Sequence, residues 1–324
     1  MDISNNILKT GIHNFDESND LNINDSDNSE KNDTENKSKP LIKHLVISGG
    51  GTTGLSFYSI LRDSNKYGFW NIDNIETIYA TSIGSVLATI VCLKIEWNII
   101  DGYLIQRPWQ DVFNFDIYSV FNIFENKGIF TISVIKELLQ PLFLTSDILI
   151  DITMEEFYNI TKKELHIFVT EVDNFEIVDI SYKTHPKWKL LEVIYASCCL
   201  PIIFEPFHKD GKSYLDGGII APYPLKYCIN NNNIKQEEIF GLKKLYNQKD
   251  FVLKESSSFF DFFNVLINRV LDKILINENI KIDNEIVIID DPVSIQDILQ
   301  VASSIDKRKE LIQKGSNKFE NFIK

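Results

Sequence analysis

The stretch that decides the fold is LIKHLVISGGGTTG at residues 41–54, which IETIYATSIG at residues 75–84 follows closely. Each segment starts as a short apolar run rich in β-branched residues and then turns at small residues. After each turn, apolar residues recur at helical spacing. We therefore predict strands at 41–48 and 75–80, each followed by a helix. This alternation indicates an α/β fold with a mostly parallel central sheet.

The rest of the chain continues with both element types. Asp173-Asn174 lies between two β-rich runs and favours a hairpin, and Thr153 to Glu156 is typical of a capping box that opens a helix. Further strands are predicted at 165–172, 176–182, 213–215, 237–242 and 285–289, and further helices at 130–142, 188–199, 259–276 and 295–323, the last broken near Gly315.

Composition excludes several classes of protein. The chain has 324 residues, of which 44% are hydrophobic, so it can bury a sizeable core. Its formal charge of -13 argues against a nucleic-acid partner and against electrostatic docking on anionic lipid. The cysteines form no CxxC pair, so we expect neither a disulfide framework nor a zinc site. They are Cys92, Cys198, Cys199 and Cys228.

Residues 1–40 are polar and acidic and lack the apolar segment of a signal peptide. They contain too little apolar surface to offset the entropy of ordering, so we predict a disordered tail. Nowhere in the sequence do about 18 apolar residues follow one another, and no transmembrane helix is expected. These features favour an intracellular, cytoplasmic protein, with peripheral membrane contact left open.

The glycine turn after the first strand has two functional interpretations. Gly49, Gly51 and Gly54 fit the G-x-G-x-x-G fingerprint of a dinucleotide site. That site needs an acidic residue at the end of the second strand, whereas Asp73 and Glu76 come before it or at its start. Alternatively, the glycine N–H groups form an oxyanion hole for acyl transfer.

The turn after the second strand, Ala80 to Gly84, is G-x-S-x-G with alanine in the first position. Such a turn exposes its serine, here Ser82, at a helix N-terminus. An ordinary serine N-cap is the simpler alternative. However, turns that follow parallel strands lie at one edge of a sheet, which would bring the N–H groups of Gly50 and Gly51 near Ser82.

A serine nucleophile needs a base. None of the five histidines has a supporting motif, and His208 is the best candidate among them. Asp216 is more informative, because it ends an apolar run and precedes Gly217-Gly218, which lets a carboxylate approach another loop closely. An Asp-Gly turn without catalytic meaning is its alternative.

Together, the blocks Gly49–Gly54, Ala80–Gly84 and Asp216–Gly218 resemble the patatin-like phospholipase family, from about residue 41 to the C-terminus. The resemblance implies a three-layer α/β/α sandwich and a Ser–Asp dyad that hydrolyses acyl esters of phospholipids or neutral lipids, without cofactor or metal. Ser82 would be the nucleophile and Asp216 the base. The oxyanion hole would be drawn from Gly49, Gly50, Gly51 and Gly54, and the supporting turns from Ala80, Ile83, Gly84, Gly217 and Gly218.

The resemblance also implies a catalytic core at 41–229, with 230–324 completing the same domain. Three residues depart from the family pattern: Ala80 replaces a glycine, Thr53 a Lys or Arg, and Pro222 an asparagine. A catalytically inactive, lipid-binding protein is therefore an alternative, beside the nucleotide-binding one. The segment 96–165 is rich in aromatic residues, which we assign to the core or to a lid near the site; they are Trp97, Trp109, Phe113, Phe115, Phe121 and Phe124.

Overall fold

In the computed structural model of the chain, the described residues are 41–114, 125–231, 233–247, 280–291 and 294–324, with isolated positions 253, 255, 262, 265, 266 and 269. The predicted tail 1–40 and most of the predicted helix 259–276 lie outside them.

The strands and helices of these residues follow the predicted alternation. Strands β1 to β5 are His44–Ile47, Thr77–Thr81, Gly128–Phe130, Glu164–Glu171 and Glu176–Ile180; β6 to β10 are Ile202–Phe204, Phe207–Lys209, Lys212–Asp216, Ile239–Tyr246 and Glu285–Asp290. Helices α1 to α5 are Gly54–Lys66, Ile83–Cys92, Trp97–Gln106, Ile132–Thr145 and Met154–Thr161; α6 to α9 are Leu190–Cys198, Leu225–Ile229, Ile295–Ser303 and Ile305–Phe322.

The described strands form one large sheet in the order β10-β9-β1-β2-β4-β8-β7, with β5 also paired to β4. From β10 to β4 every neighbour is parallel, while β5, β7 and β8 pair antiparallel. A separate parallel pair joins β3 to β6. The predicted α/β fold with a mostly parallel sheet is therefore confirmed, as is the hairpin formed by β4 and β5.

Helices cover both faces of the sheet, because its central strands are apolar on both faces. In β1, Leu45 and Ile47 enter a large core shared with α1, α2 and α6. Val46 between them faces a smaller core shared with α7. The layered α/β/α arrangement follows from this alternation.

Two predicted helices have different bounds from those expected. Phe130 ends β3 instead of starting a helix, because the Thr131 side chain accepts the Ser133 N–H and begins α4 there. The C-terminal helix is broken at Ser304, which caps α9, and not near Gly315. Gly315 lies inside α9, where a Cβ would stand 2.1 Å from the Ser56 carbonyl oxygen. That glycine permits the close approach of α9 to α1.

The predicted capping box at Thr153 is confirmed, since its hydroxyl accepts the Glu156 N–H and the Glu156 carboxylate accepts the Thr153 N–H. None of the helices within the described ranges combines the length and hydrophobicity that crossing a bilayer requires.

Two helical glycines give a matched test of this packing. Gly315→Ala should lower the free energy of unfolding by about 1–3 kcal/mol, because the added methyl meets the backbone of α1. Gly102→Ala in α3 adds the same methyl to open space and should raise that free energy by up to about 1 kcal/mol. Urea denaturation of both variants would measure the difference, and equal effects would contradict the packing argument.

Candidate active site

Ser82 stands at the sharp turn between β2 and α2, with φ 54° and ψ -129°. A positive φ is unfavourable for a residue with a Cβ and is typical of strained functional turns. Gly84 permits this turn, because a Cβ there would be 2.5 Å from the carbonyl oxygen of Ile47. Ala80 is fully buried within β2, so the fold accommodates alanine in the first position.

Asp216 ends β8 and faces Ser82 directly. The Ser82 Oγ donates a hydrogen bond to Asp216 Oδ2 at 2.6 Å. The other oxygen, Oδ1, accepts the backbone N–H of Gly218 at 2.6 Å. The carboxyl group is thus oriented from both sides, and the side chain stays 5% exposed.

Strand β4 brings these two residues together. Thr81, which precedes Ser82, pairs with Phe168, while Asp216 pairs with Val169. The end of β2 and the end of β8 therefore occupy successive positions along β4. The Thr170 hydroxyl fixes this register by donating to the Asp216 carbonyl oxygen at 2.9 Å.

Ser197 in α6 ties the serine turn to the same strand. Its hydroxyl accepts the Ser82 N–H at 2.8 Å and donates to the Phe168 carbonyl oxygen at 2.7 Å. Gly217 permits the turn after Asp216 to approach β4 equally closely, since a Cβ on Gly217 would be 2.1 Å from the Phe168 carbonyl oxygen.

Burial changes the acidity of the carboxyl group. Loss of solvation raises the pKa of Asp216 to about 6, although the hydrogen bonds from Ser82 and Gly218 oppose the rise. A carboxyl group with this pKa is ionised at neutral pH and can still accept a proton.

The glycine loop Gly49–Gly54 lies against Ser82, but its N–H groups are used differently. The Gly49 N–H is bonded to the Pro222 carbonyl at 2.9 Å, and the Gly54 N–H points back to the carbonyls of Gly51 and Thr52. Within the described residues, no hydrogen bond occupies the N–H groups of Gly50 and Gly51. These two, with the first N–H of α2 at Ile83, are backbone donors at the wall of the site that the described residues leave without an acceptor.

Two departures from the family pattern support this loop. The Pro222 carbonyl accepts the Ser48 hydroxyl at 3.0 Å in addition to the Gly49 N–H. The Thr53 hydroxyl donates to Asp290 at 3.0 Å, which ties the loop to the end of β10.

A cavity of about 240 Å³ opens beside Ser82 and Asp216 and reaches from the glycine loop to the C-terminal helices. Its charged lining residues are Asp216 and Arg308. The apolar side chains of its wall come from α1 to α4, β6, α6, α8 and the loops between elements; they include Leu55, Ile83, Val86, Leu87, Ile90, Leu104, Trp109, Phe113, Ile135, Leu138, Cys198, Leu200, Ile203, Phe204, Pro222, Ile298, Val301 and Ala302.

The hydrogen-bond donors of Arg308 are engaged within the fold. Its guanidinium, on a side chain 2% exposed, donates to the carbonyls of Ile105 and Arg107 and to those of Val301 and Ala302. It therefore closes the C-terminal ends of α3 and α8, where helix carbonyls favour a cation. The interior that remains suits an apolar chain.

The described histidines are absent from the wall of this cavity. His208, the best histidine candidate, is exposed on β7 and bonded to Ser213. Of the aromatic residues assigned to core or lid, Trp109 and Phe113 line the cavity and Trp97 packs against the core. Phe115, Phe121 and Phe124 lie outside the described residues. Among the described residues, no three His, Cys, Asp or Glu side chains are grouped to hold a metal ion.

Sequence analysis missed several contributors to the site: Ser197, Thr170, Arg308 and the α8 residues of the cavity wall. Each acts through a contact distant in sequence, and no local motif marks it. The signal for Ser197 was its place in a run of small residues before Pro201, which gave no role.

Comparison with known proteins identifies similar chains. A family model described as patatin-like phospholipase matches residues 45–229. A probable lipid hydrolase of Invertebrate iridescent virus 6 is 23% identical over 198 residues, covering 60% of this chain and 66% of that protein. An uncharacterized protein of Acanthamoeba polyphaga mimivirus is 23% identical over 197 residues, covering 60% of this chain and 64% of that protein.

Among solved structures, VipD from Legionella pneumophila has a similar fold, with a TM-score of 0.53 and 17% identity over 88% of this chain and 67% of that one. The chain spans just under two thirds of the length of the two viral relatives.

The buried carboxyl group predicts a stability change with a definite pH dependence. Because the pKa of Asp216 is higher in the folded chain than its usual 3.8, its ionised form costs stability as pH rises through about 6. Asp216→Asn, which has the same shape without charge, should therefore raise the free energy of unfolding at pH 8 by up to about 3 kcal/mol. At pH 4 the gain should vanish. Denaturant titrations at both pH values test this, and a variant less stable at pH 8 would contradict it.

Proposed function

The chain belongs to the patatin-like phospholipase family, and on this premise we propose that it hydrolyses fatty-acyl esters of lipids through an acyl-enzyme on Ser82. Asp216 acts as the base, and the backbone N–H groups of Gly50, Gly51 and Ile83 form the oxyanion hole. The observation that carries the proposal is the 2.6 Å hydrogen bond from Ser82 Oγ to Asp216 Oδ2 beside an apolar cavity.

In the first half of the reaction, Asp216 accepts the Ser82 hydroxyl proton as the Oγ attacks the ester carbonyl. The carbonyl oxygen becomes an oxyanion and is stabilised by the backbone N–H donors that stand free beside the serine. When the tetrahedral intermediate collapses, the bond to the alcohol oxygen breaks and Asp216 returns the proton to that oxygen. The acyl chain is then esterified to Ser82.

In the second half, a water molecule attacks the acyl carbonyl while Asp216 accepts one of its protons. Collapse releases the fatty acid, and the proton returns to Ser82 Oγ. A single carboxyl group thus serves as base and as acid in turn. A pKa near 6 suits both tasks, because the group is ionised at neutral pH without being too weak a base.

The apolar cavity favours a long acyl chain as the part of the substrate that binds beside Ser82. Its wall is formed by aliphatic and aromatic side chains, and its guanidinium is already bonded to helix carbonyls. A phosphorylated dinucleotide would place several charges against this wall. The position after β2 where a dinucleotide site needs a carboxylate is occupied by Ser82. Both points favour the ester over the nucleotide alternative.

Removing either reacting group should abolish hydrolysis without unfolding the chain. Ser82→Ala and Asp216→Asn should each lower kcat for a p-nitrophenyl acyl ester and for phospholipid vesicles by at least about 10³-fold, since both groups act in the same step. Ser59→Ala, which removes a buried hydroxyl that donates to the Ser56 carbonyl in the same helix, should retain the rate.

Labelling by a fluorophosphonate distinguishes the alternatives. The wild-type chain and Ser59→Ala should become labelled, and Ser82→Ala should not. Labelling that persists in Ser82→Ala would refute the assignment of the nucleophile. An unlabelled wild-type chain that still binds vesicles would favour an inactive lipid-binding protein, and thermal stabilisation by NAD would favour the nucleotide alternative.

The raised pKa of Asp216 also predicts the acidic limb of the pH profile. The base must be ionised, so kcat/KM should fall about tenfold for each pH unit below about 6. Initial rates with a soluble ester between pH 4.5 and 7 would measure this limb. A rate that stays constant down to pH 4.5 would exclude Asp216 as the base.

A further inference from the structure

Lys244 on β9 is a buried cation directly behind the glycine loop. Its side chain is 2% exposed, and no carboxylate oxygen of the described residues lies within 4.0 Å of its ammonium. Its Nζ donates to the Gly50 carbonyl oxygen at 3.3 Å and lies 4.9 Å from the centre of the Tyr246 ring. A buried ammonium without a close carboxylate is costly, so its position at this carbonyl calls for a physical explanation.

The carbonyl that Lys244 contacts belongs to the same peptide group as the Gly51 N–H. A cation at the carbonyl oxygen polarises the peptide and strengthens its N–H as a donor. The Thr53 N–H reaches the same oxygen at 3.2 Å, so the peptide plane is held from two directions. The aliphatic part of the Lys244 side chain also packs closely against the loop: a Cβ on Gly50 would be 3.1 Å from Lys244 Cδ.

We propose that Lys244 is a positioning residue for ester hydrolysis, which holds the Gly50–Gly51 peptide and lends its positive charge to the oxyanion. The proposal rests on the proposed function. The loop 49–54 consists of glycine and threonine only and brings no side-chain charge of its own. In a water-poor site, a charge placed behind a donor stabilises a developing anion far more than it would in water.

The charged groups around Lys244 leave its ammonium free to act this way. Asp290 on β10 faces it but is bonded to Thr53 and paired with Lys314 of α9 at 3.1 Å. Asp297 of α8 and Asp291, the residue after β10, contribute weaker attraction. Burial is the largest effect and lowers the pKa of Lys244 to about 8, so the group is mostly cationic at pH 7.

The downward direction of the Lys244 pKa shift distinguishes a role in the reaction from a purely structural role. Because the folded pKa lies below the usual 10.5, the ammonium costs stability at neutral pH, and the fold becomes more stable as pH rises from about 8 to 10.5. The rate of hydrolysis should instead fall as pH rises over this range, since deprotonation of Lys244 removes the positive charge behind the oxyanion. A wild-type kcat that falls as pH rises through about 8 is the expected signature.

The test compares Lys244→Met with Lys243→Met, using p-nitrophenyl butyrate, a soluble ester that needs no interface. Lys244→Met should lower kcat about tenfold and change KM by no more than about twofold. Its Tm at pH 7 should stay the same or rise. Its kcat should no longer fall as pH rises through about 8, a fall that we call the alkaline limb of the profile. Lys243 points to the other face of β9, over the Tyr223 ring at 5.3 Å, and its variant should keep both kcat and the limb. Lys244→Arg should keep the charge and move the limb above pH 9.5.

The possible failures are distinguishable. If the wild-type chain shows no hydrolysis that depends on Ser82, the proposed function fails and this proposal fails with it. If the wild type is active but has no descending limb between pH 7 and 9.5, the role of Lys244 alone is overturned, and no variant is needed for that result. A Lys244→Met variant with wild-type kcat, or with lowered Tm and a retained limb, overturns it equally.

Discussion

The pairing of β4 with two strands along one edge is the constraint on which the candidate site depends. The first part of β4 pairs with β2 and the last part with β8, so Thr81 and Asp216 meet successive residues of one strand. Ser82 and Asp216 are 134 positions apart in the chain, yet their distance is set by one backbone step. A rigid strand defines that distance more closely than flexible loops could.

The site concentrates features that cost stability. Ser82 has a positive φ, the Asp216 carboxyl group is buried, and the Lys244 ammonium is buried behind the glycine loop. Each is unfavourable by itself and persists because the surrounding structure holds it. The two apolar cores on either face of the sheet supply that support. Buried charge and backbone strain thus lie together at the edge of the sheet where the polar groups converge.

The sequence predicted what depends on local patterns. The glycine turn, the small residues around Ser82 and the Asp216-Gly217 pair each have a steric reason that is visible in the chain, and Gly84 and Gly217 are indeed too close to backbone for any Cβ. Gly315 was misjudged, because a helical glycine can signal a break or a close contact and only the partner helix decides. Contacts between residues distant in the chain left no pattern in the sequence. Examples are the hydrogen bonds of the Ser197 hydroxyl to the Ser82 turn and of the Lys244 ammonium to the glycine loop.

Residues beyond the segment matched by the family model complete the surroundings of the dyad. The groups proposed to react all lie within 45–229, whereas Ile298, Val301 and Arg308 line the cavity from α8 and α9. Strand β9, which carries Lys244, is paired with β1 and places that residue against the glycine loop. The segment matched by the family model therefore holds both proposed reacting groups and most of the cavity wall, and α8 and α9 close the rest of that wall.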